Sequence, residues 1–235
     1  RAEKRYLPFN HLGGRTIGTV NADDRGVVGL EYSFNRQLSG QDGEALYQKM
    51  AGGGWKPVYD GTELRPVEGY DVETTINVNI QDITESALLK ALKRHEADYG
   101  VAVVMEVATG EIKAISNLSR SSKGTYYEEY NYAVGSQGSR EPGSTFKLAS
   151  MIALLEETDL QLIDTVDTGD GELQFFNEVM RDHKKGGYGV LTVQEVFEYS
   201  SNIGVAKLVT QHFNNDPQKF VDHLSRMGLS KPLGF

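Results

Sequence analysis

The stretch EPGSTFKLASMIALLEE, residues 141–157, decides how the rest of the chain is read. Pro142 and Gly143 signal a turn. Phe146, Leu148, Met151, Ile152, Leu154 and Leu155 then surround most of a helix. A helix apolar nearly all round is normally buried in a larger domain, so a lysine, Lys147, is out of place on it. Ser144 and Lys147 form an S-x-x-K pattern, and residues three apart share one face of a helix. Serine is a weak nucleophile until a base takes its proton. A lysine desolvated by burial has a lowered pKa and is such a base at neutral pH. Free N–H groups at a helix start also suit a developing oxyanion. The pattern by itself arises roughly once by chance in a chain of this composition. The same residues also read as a helix cap and a solvated side chain.

Downstream, residues 191–210 carry further helix, interrupted by SSNIG at 200–204, and 217–227 form a short amphipathic stretch. In Ser200-Ser201-Asn202 a hydroxyl can relay a proton and an amide can hold a substrate amide. The bland reading is a turn between helices, and Ser33-Phe34-Asn35 matches S-x-N as well. Upstream, Ile80, Ile83, Ala87, Leu88, Ala91 and Leu92 predict a helix over 77–95, capped by Asn77 or Asn79. The run VAVVMEVATGEIKAIS, 101–116, predicts a β-hairpin turning at 108–110. Residues 119–138 read as polar loop, and Tyr126, Tyr127, Tyr130 and Tyr132 in it as packing residues. Residues 1–66 are glycine-rich and irregular, with short strand-like pieces and the single tryptophan, Trp55. The expected organisation is therefore a β-rich module over 1–66 and an α+β or α/β domain over 67–235, with the helix 77–95 covering the sheet begun by the hairpin.

The chain has 235 residues and a formal net charge of −9, from 33 acidic and 24 basic residues, with no basic block. A nucleic-acid partner or a polybasic membrane-surface role is not expected. The absence of cysteine excludes disulfides and thiolate metal sites. His11, His95, His183, His212 and His223 show no tight ligand pair, so neither a metal nor another cofactor is expected. The acidic stretch 164–172 reads as a solvated loop. No apolar run approaches the length that spans a bilayer, and no signal peptide opens the chain. Both ends read as cuts in a longer protein.

The two chemical patterns, in this order, resemble the nucleophile and second boxes of the class B penicillin-binding proteins, which share S-x-x-K, an S-x-N element and K-T-G with class A β-lactamases. EPGSTFK at 141–147 is similar to the nucleophile box, and LTVQEVFEYSSNIG at 191–204 to the second box with its preceding helix. GVVGLEYSFNRQLSGQDG at 26–43 resembles the end of the non-catalytic pedestal, where Glu31 is expected to hold packing. AVVMEVATGEIKAI at 102–115 resembles the opening hairpin of the transpeptidase domain. The resemblance implies a penicillin-binding transpeptidase (serine β-lactamase-like) fold and a peptidoglycan D,D-transpeptidase. Ser144 would attack the penultimate D-alanine carbonyl, Lys147 would take its proton, Ser200 would shuttle a proton to the leaving D-alanine, and Asn202 would hold the substrate amide. Ser201 would point away.

The resemblance further implies stem peptides and β-lactams as ligands, glycosyltransferase and divisome partners, and an inner-membrane anchor with a periplasmic body. WKPV, DVETTINVNIQD and YYEEYNYAVGSQGSREPGSTFK most resemble division-type members of Bacteroidetes-like bacteria. Elongation-type enzymes, a β-lactamase or β-lactam sensor, and a non-catalytic scaffold are the alternatives. No K-T-G occurs in the sequence, and 33 residues follow Asn202. The expectation is that this box lies beyond Phe235 and that the chain alone is a poor enzyme.

Overall fold

A computed structural model of the protein describes residues 5–59, 61–175 and 177–232. The outermost ends of the two expected segments, 1–4 and 233–235, lie outside the described residues. Two compact units meet in the sequence between Ser139 and Arg140.

The first unit opens with α1 (Gly14–Ile17), β1 (Thr19–Val20), β2 (Gly26–Val28), α2 (Gly29–Ser33), α3 (Asn35–Leu38), β3 (Leu46–Met50) and β4 (Gly54–Val58). β1 pairs antiparallel with β2 and β3 with β4, and bridges at Gln41–Val67 and Glu44–Leu64 continue the second ribbon. The module is thus less purely β than its sequence implies. Three helices of four or five residues are too short to show a 3.6-residue period. Glu31 takes an ion pair from Arg5 at 3.0 Å, and Arg5 also donates to Gly18 O at 2.9 Å.

α4 (Val78–His95) follows. The Asn77 side chain accepts from the amides of Asn79 and Ile80 at 3.0 and 3.1 Å and satisfies the helix start. At the other end Lys93, Arg94 and His95 face the negative pole of the helix dipole. The buried face follows the apolar spacing only in part. Ile83 is exposed, as are Ala87 and Ala91, while Gln81, Thr84 and Leu92 are buried. Gln81 makes this face workable. Its amide nitrogen donates to Ile115 O and Ser116 Oγ at 2.8 and 3.0 Å, and its oxygen accepts from Ile115 N at 2.8 Å.

That bond set ties α4 to a three-stranded antiparallel sheet of β5 (Tyr99–Met105), β6 (Ile112–Arg120) and β7 (Tyr126–Tyr127). The predicted hairpin is present, shifted by a few residues, because β6 runs on into the segment expected to be loop. A Cβ on Gly100 would lie 2.8 Å from Leu92 Cδ2, so glycine here permits the close approach of helix and strand. β6 is buried from Ala114 to Ser119, polar residues included. Ser119 Oγ shares a 2.6 Å hydrogen bond with Tyr132 OH, whose ring stacks on Tyr99, and Tyr126 OH donates to Leu92 O and Ala97 O. Tyr126 and Tyr132 pack as expected, and Tyr130 sets its ring edge-on to Tyr132 at 5.8 Å, whereas Tyr127 is exposed.

Residues on both sides of position 66 belong to the first compact unit, joined for instance through Arg15 N, which donates to Glu128 Oε2 at 2.8 Å.

The second unit contains α5 (Phe146–Glu157), β8 (Thr165–Asp167), β9 (Glu172–Phe175), β10 (Glu178–Arg181), β11 (Val190–Thr192), α6 (Val193–Glu198), α7 (Asn202–Phe213) and α8 (Pro217–Arg226). β8 pairs with β11 and β9 with β10, all antiparallel. Met151, Ala153, Leu154, Val193, Val196, Val205, Leu208 and Phe213 form its core. α5 buries one side, through Ala149, Met151, Ala153 and Leu154, while Phe146, Leu148 and Leu155 remain exposed. It is therefore not buried all round. Nor is 164–172 simply a solvated loop. Thr165–Asp167 is a strand with Val166 turned into the core, and an inward residue in a strand of three leaves no alternation to read. Among the described residues no helix is long and apolar enough to cross a membrane.

Candidate active site

The second unit carries all four residues singled out from the sequence. Pro142 and Gly143 lead into a single 3₁₀ turn, Gly143–Thr145, which runs into α5. Gly143 has φ +57°, a conformation that strains any residue with a side chain. This turn sets Ser144 just ahead of α5 and Lys147 in its first turn. Ser144 is exposed. Its hydroxyl makes no hydrogen bond to another described residue.

Lys147 reaches from α5 to the loop between α6 and α7. Its Nζ donates to Ser200 O at 2.5 Å and to Ser200 Oγ at 3.0 Å, across 53 residues of sequence. The amine is half-buried rather than largely buried as the buried-helix reading implies, since one flank of α5 is open. Desolvation nevertheless lowers the Lys147 pKa from its ordinary value of 10.5, against an opposing pull from the charge of Asp182.

The loop that presents Ser200 is tightly specified. α6 starts with a reciprocal cap in which Thr192 and Glu195 each satisfy the other's backbone N–H. Val193 and Val196 are fully buried and anchor the helix in the core. After α6, Ser200 adopts φ +54°, a strained value for a serine. The next residue, Ser201, is buried and makes no hydrogen bond to Lys147. It donates to Asp182 Oδ2 at 2.8 Å and accepts from Gly204 N at 2.9 Å. Asn202 is exposed, and its Nδ2 donates to Arg181 O at 2.7 Å.

The structure therefore brings Lys147 and Ser200 into direct contact and puts Asn202 two residues on, at the first position of α7. It does not hydrogen-bond Ser144 to Lys147, nor Asn202 to either. The tight four-membered cluster that the roles imply is closed only at its Lys147–Ser200 edge. Two further groups at this loop are not legible in the sequence. Asp182 lies outside both patterns. Tyr188 and Tyr199 stack at 5.3 Å with their planes 4° apart, and Lys184 lies over Tyr188. Among the described residues no cluster of three or more His, Cys, Asp or Glu could hold a metal ion.

An exposed hydroxyl one turn from an amine of lowered pKa, which itself contacts a second hydroxyl, is suited to acyl transfer through a serine ester. Residues 100–235 match the family described as the penicillin binding protein transpeptidase domain. The chain is 29% identical to Stage V sporulation protein D of Bacillus subtilis over 208 residues, covering 87% of the chain and 32% of that protein. It is 27% identical to the peptidoglycan D,D-transpeptidase FtsI of Escherichia coli over 231 residues, or 97% of the chain and 38% of the relative. Among solved structures, the apo form of penicillin binding protein 3 from Mycobacterium tuberculosis superposes with a TM-score of 0.76 at 25% identity, over 97% of this chain and 47% of that one. A peptidoglycan synthetase from Bifidobacterium adolescentis gives 0.72 at 27% identity, over 90% and 38%. The chain thus spans about a third to two fifths of the length of the curated relatives it matches.

Proposed function

The chain belongs to the penicillin-binding protein transpeptidase family, among its class B members, and from that premise we propose that it carries the nucleophile and proton-transfer residues of a peptidoglycan D,D-transpeptidase. In this reading the Ser144 hydroxyl adds to the carbonyl of the penultimate D-alanine of a stem peptide, and Lys147 Nζ takes its proton. The tetrahedral adduct collapses with cleavage of the C–N bond to the terminal D-alanine. The proton on Lys147 passes through Ser200 Oγ to that leaving amine. An amine from a neighbouring stem peptide then attacks the Ser144 ester, forms the cross-link and frees the serine. Asn202 supplies an amide for the substrate backbone. A β-lactam enters by the same attack on its ring amide and stays as an ester.

The observation that carries this reading is the contact of Lys147 Nζ with Ser200 Oγ at 3.0 Å, within a segment that matches the family. The test uses the full-length protein, a stem peptide ending in D-Ala-D-Ala and an acceptor amine, with products followed by mass spectrometry. The wild type should release D-alanine and form the amide. Ser200→Ala should slow release by about 10²-fold or more, the usual worth of a proton-transfer group. No D-alanine release from folded wild-type protein would overturn the proposal.

Residues 1–66 are proposed to be part of a non-catalytic pedestal. The finer role, septal synthesis during division, rests on the motif resemblance. So do a membrane-anchored parent with a periplasmic body, and glycosyltransferase and divisome partners. Conditional depletion should give filamentous cells if the role is septal, and rounded cells if it is elongation.

A further inference from the structure

The Ser200–Asn202 loop is held from outside by a single carboxylate. Asp182 follows directly on β10. Its Oδ2 accepts from Ser201 Oγ at 2.8 Å, and its Oδ1 accepts from the backbone amides of Asn202 and Ile203 at 2.6 and 3.1 Å. The neighbouring Arg181 O accepts from Asn202 Nδ2. Residues 181 and 182 therefore fix both the backbone and the side chain of the loop that Lys147 contacts. We infer that Asp182 is a positioning residue for the proposed acyl transfer, holding Ser200 and Asn202 where Lys147 and the substrate need them. The inference rests on the proposed function and names a residue outside its motifs.

Three features support it. Ser200 is in a strained backbone conformation, which persists only when its surroundings over-determine it. Ser201 is 1% exposed and Ile203 0%, so the groups that Asp182 satisfies have little water to turn to. Finally, Asp182 is the charge that acts on Lys147, and it opposes the effect of desolvation. Arg181, the adjacent cation, has its guanidinium engaged by Glu172 at 2.9 Å. Asp182 thus offsets part of the desolvation that lowers the Lys147 pKa while it holds the partner loop still.

The test measures the second-order rate of acylation by a fluorescent penicillin from pH 5 to 10, in the full-length protein, for wild type, Asp182→Ala, Asp182→Asn and Ser144→Ala. Asp182→Ala should lose about 10²-fold in rate, the scale set by small misplacements around a reacting centre. Asp182→Asn keeps an oxygen for the two backbone amides and should recover much of that loss at its optimal pH. Without the negative charge, Lys147 becomes a free base at lower pH, so the acid limb of the Asp182→Asn profile should move to lower pH. A merely structural residue would leave that limb in place. A wild-type rate in Asp182→Ala, or an unshifted limb in Asp182→Asn, overturns the assignment. Should Asp182→Ala fail to fold, the Asp182→Asn limb decides alone. Labelling that survives Ser144→Ala would instead refute the proposed function.

Discussion

Replacing Glu128 by glutamine should stabilise the first unit at neutral and alkaline pH and change little below about pH 4.5. Glu128 lies just after β7, with Oε2 accepting from Arg15 N at 2.8 Å and Oε1 buried without a partner among the described residues. Burial pushes its pKa from 4.5 up to about 7, and the nearby charge of Glu85 adds to the rise, against the hydrogen bond from Arg15. The folded-state pKa is thus raised. Its contribution to stability is fully present below the unfolded value and is lost as pH climbs through about 7. A rise from 4.5 to about 7, at about 1.4 kcal/mol per pH unit, amounts to about 3 kcal/mol. Glutamine never ionises but still offers an oxygen to Arg15 N. Denaturant unfolding of both full-length proteins between pH 4 and 9 gives the stability difference. It should grow with pH to about 3 kcal/mol in favour of Glu128→Gln and vanish at the acid end. Glu157 and Glu195, whose pKa values are lowered mainly by hydrogen bonds from His223 and from the Thr192 backbone, tilt both curves the other way and cancel in the difference. A pH-independent difference would refute the reasoning.

Two other substitutions probe the frame around the site. In Gly204→Ala the new methyl would sit 2.7 and 2.8 Å from the Val196 methyls and 3.1 Å from Ser201 Oγ. It should cost about 1–3 kcal/mol in thermal or denaturant unfolding and slow acylation, because the displaced atoms belong to α6 and to Ser201, which follows Ser200 in the α6–α7 loop. Gln81→Ala strips three hydrogen bonds from β6 and leaves Ser116, which is fully buried, without its partner. A loss of about 2–4 kcal/mol, confined to the unfolding of the first unit, is expected, whereas a loss below about 1 kcal/mol would mean that Gln81 does not join α4 to the sheet.

Much of this was legible where apolar period and element length agree. α4, the β5–β6 hairpin and the helices on either side of Ser200–Asn202 lie within a few residues of their predicted limits. What misled was polar burial. Counting only apolar residues put Ile83 inside α4, where Gln81 and Thr84 belong, because nothing in the local pattern tells that a glutamine will find three partners on β6. Short elements also escaped. α1 to α3 and β8 are no longer than five residues, less than the window over which a period can be seen. At the site, S-x-x-K and S-S-N were visible as patterns, but the contact between Lys147 and Ser200 depends on how α5 and the α6–α7 loop pack. Asp182 was invisible for the same reason. Its role comes from a turn that returns it to residues about 20 positions ahead, and no spacing rule encodes that.

The most direct measurement is the site of covalent capture. The full-length protein is treated with a fluorescent penicillin, digested, and the adduct mapped by mass spectrometry, with Ser144→Ala run in parallel. The account predicts one adduct per chain, on the hydroxyl of Ser144, and none in the alanine variant even though that variant folds with the wild-type melting profile. An adduct on Ser200 or Ser201, undiminished labelling of Ser144→Ala, or no adduct on folded wild-type protein would contradict it.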